Sequence, residues 1–145
     1  MDYYTLLATA SLIIQIIVLI LLSYGFFLKQ KTKFNSHGMT MAIALVLHIV
    51  TIFAIMIPSL SVIIPEFILP APLEAISIIG IIHGVTGAIA ATLGVFLVAA
   101  WHFSKNVTGC FKRKLIMRYT ISIWATALIL GITIYAVLYG PLLFA

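Results

Sequence analysis

Acidic residues are scarce in this chain, and Asp2, Glu66 and Glu74 are all it has. None of them falls in the interior of a long apolar run; Glu74 stands at the edge of one. Hydrolysis and phosphoryl transfer therefore lack the carboxylates, and no nucleophile beside a base or phosphate-cradling glycine loop replaces them. Proton-coupled transport driven by intramembrane acids is equally hard to place. The single cysteine, Cys110, allows no internal disulfide and no cysteine-based metal motif. Charge of either sign is only 8% of the 145 residues, against 64% hydrophobic residues, and a soluble domain does not have that balance.

What is present is apolar length. Four runs, residues 3–28, about 39–60, about 73–103 and about 115–138, each approach or exceed the roughly 20 residues a helix needs to cross a bilayer. The runs are continuous rather than alternating, and an open sheet leaves its backbone unsatisfied in lipid, so strands are rejected. The expected fold is all-α: a single integral-membrane domain, a four-helix bundle over residues 1–145. The opening MDYY carries no basic n-region, the run is too long for a typical h-region and no small-x-small site precedes a soluble domain, so the first run reads as a retained helix and not as a signal peptide. Between the second and third runs, PSLSVIIPEFILPAPLE holds four prolines and two acids. It reads as a non-helical outer loop lying along the surface or over the bundle.

Basic residues sort by position. Lys29, Lys31 and Lys33 lie between the first and second runs, and Lys105, Lys112, Arg113, Lys114 and Arg118 lie between the third and fourth or at its start. The positive-inside rule predicts two cytoplasmic basic loops with both termini outside, in the plasma membrane. These charges are juxtamembrane and no soluble domain carries them, so nucleic acid is not an expected partner. Anionic lipid heads are ordinary neighbours for them. Tyrosine, phenylalanine and tryptophan near the helix ends form the interfacial belt.

All four histidines fall in or at the ends of the second and third runs: His37 and His48, then His83 and His102. An imidazole in lipid either hydrogen-bonds a neighbouring helix or serves a site, and four on two consecutive helices favour the site. His37 and His48 share a face about 16 Å apart along the axis, whereas His83 and His102 are about 28 Å apart and differ by about 100°. Zinc gathers its ligands at one point, which this spread does not do. Haem b suits it better, one or two groups held by a histidine from each of two facing helices, with copper as the alternative.

Two arrangements are open. In one, His37 faces His102 and His48 faces His83, with axial spacings that disagree by about 12 Å. In the other, His48 and His83 are level and His37 lies opposite Gly94. His83, Gly87, Ala90 and Gly94 share a stripe of small residues in GIIHGVTGAIAATLG, which admits a flat ligand and equally serves helix packing or a homodimer. Arg118 and the KRK at 112–114 are candidate partners for haem propionates. Met39 and Met41 are soft-ligand candidates more often found as filler, and Gln15 reads as a hydrogen-bonding group in the first helix.

HGMTMAIALVLH and IIHGVTGAIAATLGVFLVAAW resemble the histidine-bearing helices of small two-haem b-type cytochromes. That resemblance implies transmembrane electron transfer, or an oxidoreductase reacting with quinol or a small reductant. The run KRKLIMRYTISIWATALILGITIYAVLYG, with His37 and His83 upstream, is similar to a four-helix membrane family that includes a cytochrome c oxidase maturation factor of Gram-positive bacteria. This second likeness implies a non-catalytic assembly factor handling haem or copper. A structural subunit of a respiratory complex, its histidines used only for interhelical hydrogen bonds, is the third reading.

Overall fold

The computed structural model describes residues 3–104 and 112–143. It is helical: α1 (Tyr3–Gln30), α2 (Phe34–Thr51), α3 (Ile57–Ile63), α4 (Ala75–Ser104) and α5 (Lys114–Leu143). Four helices are long and apolar enough to cross a membrane, over Thr5–Gln30, Phe34–Glu66, Ala75–Phe103 and Lys114–Gly140. The chain is thus a multi-pass membrane protein by length and composition. Lys105 and Cys110 lie outside the described residues, as do Met1 and Asp2.

Helix α1 packs mainly on α2, and α4 mainly on α5, so the bundle consists of two antiparallel hairpins. The α1–α5 and α2–α4 contacts that join them are sparser. Within lipid no hydrophobic force draws helices together, and close fit of small and large side chains does that work. At the centre Ala44 and Ala90, both fully buried, let Val18, Leu22, Leu45, Trp124 and Leu128 meet. Ile20, Phe53, Val85 and Ile129 point outward, where acyl chains are the natural solvent.

The turn between α1 and α2 is tight. Thr32 takes the left-handed conformation, φ 57°, and the Lys33 amide donates to the Leu28 carbonyl at 3.0 Å, closing the end of α1. At the other end of the bundle Thr9 of α1 and Tyr135 of α5 share a hydrogen bond of 2.9 Å.

The expected outer loop is the main correction. Helix continues from α2 through a π-helical segment (Ile52–Met56), α3 and a second π-helical segment (Ile64–Ile68), leaving only residues 69–74 non-helical. Pro58 and Pro65 each fall in the first turn of a new segment, where the missing amide proton forfeits little. A π segment shifts the hydrogen-bond register by one residue and so absorbs the ladder break that a proline imposes. Proline here re-phases a helix without ending it. The long apolar composition of this stretch is what keeps it helical in lipid.

Candidate functional site

Antiparallel register decides how the histidines line up. An added Cβ at Gly38 would meet the Trp101 indole, and one at Gly94 would come within 2.9 Å of Leu45 Cδ1. Both pairs belong to one register of α2 on α4, which sets His37 level with His102 and His48 level with Ala91. His83 lies eight residues beyond Ala91, about 12 Å along the axis. The alternative with His37 opposite Gly94 is not the register adopted.

Three of the four imidazoles are held inside the bundle. His37, buried, places Nδ1 2.7 Å from the Gly25 carbonyl of α1. His83, half-buried, places Nδ1 2.8 Å from the Ala127 carbonyl of α5. A carbonyl only accepts, so in each neutral ring Nδ1 carries the proton and Nε2 keeps a free lone pair. Metal-ligating histidines are oriented by that same kind of bond. Glycine makes room for these rings: a Cβ on Gly131 would stand 2.9 Å from His83 Cε1.

His48 differs from both. It is 3% exposed, its ring centroid is 4.9 Å from that of Trp124, and neither ring nitrogen has a hydrogen-bond partner among the described residues. The Gly87 carbonyl and the His83 ring lie nearby, but no contact to the carbonyl meets hydrogen-bond geometry. His102, by contrast, is exposed at the end of α4 and packs edge-on against Phe103.

The small residues divide in two. Gly94 is filled by Leu45 and Trp124, while a Cβ on Gly80, Gly84 or Gly87 would meet nothing within 4 Å. Towards the basic end a cavity of about 90 Å³ opens between the helices, with His37, Lys29, Arg113, Trp101, Thr120 and Trp124 among its lining. Arg118 lies outside it, exposed on the wall of a second, open pocket of about 230 Å³ shared with Lys29 and Lys114. Among the described residues no three histidine, cysteine or acidic side chains gather as a metal cluster. Of the methionines, Met39 is exposed, and Met41 covers Gly25.

Trp124 and Gly131 are the residues that sequence reading passes over. The signal for Trp124 is its position: it sits in mid-span, away from the interfacial belt where tryptophan in a membrane helix is expected. Comparison with known protein families, curated proteins and solved structures returns no match.

Proposed function

We propose that the chain is a haem b-binding membrane protein that carries electrons within or across the bilayer, with His48 and His83 as the iron ligands. One observation carries this reading: a histidine in the bundle centre, 3% exposed, with both nitrogens unsatisfied. In lipid such a group is costly unless something binds it.

The donor chemistry fits haem. His83 is already oriented through Nδ1, leaving Nε2 as a ligand, and His48 has two nitrogens to offer. His48 belongs to one hairpin and His83 to the other, so a flat group between them would enter at the α2–α4 seam, where contact is sparser and Gly87 leaves open space. The basic-end cavity is too small for a macrocycle, but Lys29 and Arg113 on its wall suit carboxylate groups. Haem supplies one-electron redox chemistry when bound. The chain supplies fixed imidazoles, a dry interior and, at Trp124, a flat wall against His48.

A second reading uses the same two histidines, since neutral imidazole ligates copper as it does haem iron. A small ion that accepts two imidazoles needs less room than a haem, and a copper-handling role in oxidase assembly would use it so. Partners then include a respiratory complex, and in the first reading a quinone.

Purified protein reduced with dithionite decides between them. The haem reading expects a b-type absorbance band and one or two haems per chain, with a haem lost in His48→Ala and in His83→Ala. A colourless chain that binds Cu(I) through the same two residues supports the copper reading. A chain that binds neither overturns both.

A further inference from the structure

Among the described residues, the buried side-chain nitrogens and oxygens without a hydrogen-bond partner belong to three residues only: Gln15 (Nε2 and Oε1), His48 (both ring nitrogens) and Trp124 (Nε1). They come from three helices, α1, α2 and α5, and each is at least nine-tenths buried, at 9%, 3% and 3% exposed. His48 and Trp124 are in ring contact. Gln15 joins them by register. Gly25 of α1 lies against His37, Thr40 and Met41 of α2, and extending that antiparallel pairing brings Gln15 level with the turn 47–51, which holds His48.

Such groups rarely stay orphaned in a native interior, least of all where no bulk water reaches. The acceptor of one meets the donors of the other two, while the two N–H donors of Gln15 Nε2 are left for a water or a carbonyl. The Gln15 amide oxygen has two lone pairs, and the neutral His48 ring and the Trp124 indole each bring one N–H donor. One oxygen can therefore satisfy both donors, leaving His48 with a single free lone pair. The other two interior histidines already have such an arrangement, supplied by the carbonyls of Gly25 and Ala127.

We propose that Gln15 is the positioning residue for His48: its amide, directly or through one shared water, takes the ring N–H and holds one tautomer, so that the second nitrogen is presented as a ligand. The last clause rests on the function proposed above. The pairing itself does not, and it can be tested without haem.

The experiment uses the full chain, with 15N-labelled histidine and tryptophan, in lipid bilayers and free of hemin. Solid-state NMR is expected to show His48 as one neutral tautomer and the Trp124 indole N–H as hydrogen-bonded. In Gln15→Met, His48 becomes a mixture of tautomers and the indole signal moves to its unbonded position, while His37 and His83 stay as they were. Gln15→Glu, which keeps an acceptor oxygen, restores the indole bond. A tautomer mixture at His48 in the unaltered chain overturns the proposal without any variant. So does a Gln15→Met spectrum in which His48 is unchanged, which would leave the Gly87 carbonyl as its anchor.

Hemin added to the same samples separates this from the haem reading. If haem binds, Gln15→Met is expected to keep its haem content but shift its midpoint potential, since the orienting bond on one ligand is gone. A chain that is spectrally blank with hemin, yet shows the Gln15-dependent tautomer, overturns the haem reading and supports the pairing.

Discussion

Two glycines of similar appearance in the sequence are expected to answer substitution differently. At Gly25 a new Cβ meets the terminal methyl of Met41, a flexible chain end that can swing aside. At Gly38 it meets the ring of Trp101, which has no such freedom. Gly25→Ala should cost under about 1 kcal/mol and Gly38→Ala about 1–3 kcal/mol, read as resistance to unfolding in detergent. Gly131→Ala belongs with the second kind, because 2.9 Å to His83 Cε1 forces the imidazole to move. Its expected effect is about 1–3 kcal/mol of lost stability, together with weaker binding of hemin or Cu(I) if His83 is a ligand as proposed, and titration with either checks it. The histidines themselves were legible as residues, but their partners were not. A main-chain carbonyl twelve or forty-four residues away, as for His37 and His83, leaves no trace in residue type.

At the scale of the element, the four spans could be read from apolar length, because lipid imposes that length directly. The region after Thr51 could not. Proline in a sequence reads as punctuation, whereas in this helix two prolines fall at segment starts and two π-helical segments absorb the change of phase. Register between helices was equally hidden, since it depends on a tryptophan over Gly38 and a leucine over Gly94 rather than on the histidines. The α1–α2 turn offers a prediction of its own. Thr32 is β-branched at φ 57°, a conformation that glycine adopts freely. Thr32→Gly is expected to raise thermal stability by roughly 1 kcal/mol, measured as a higher midpoint in the same detergent.

For the whole molecule, the distribution of Lys and Arg gives an orientation that a labelling experiment can read. If both basic loops are cytoplasmic, Cys110 in sealed, right-side-out cells resists a membrane-impermeant maleimide and reacts once the membrane is opened. Reaction in the sealed cells would reverse the topology. The arrangement into two closely packed hairpins, joined by sparser contacts and a short connection at 69–74, bears on how the protein is assembled. Each hairpin satisfies its own backbone and can insert as a unit, as helices do before they associate. Severing the chain within 69–74 and producing the halves together should therefore yield complementing fragments that find each other in the bilayer. Because His48 travels with one fragment and His83 with the other, any cofactor they share would be acquired only on their reunion.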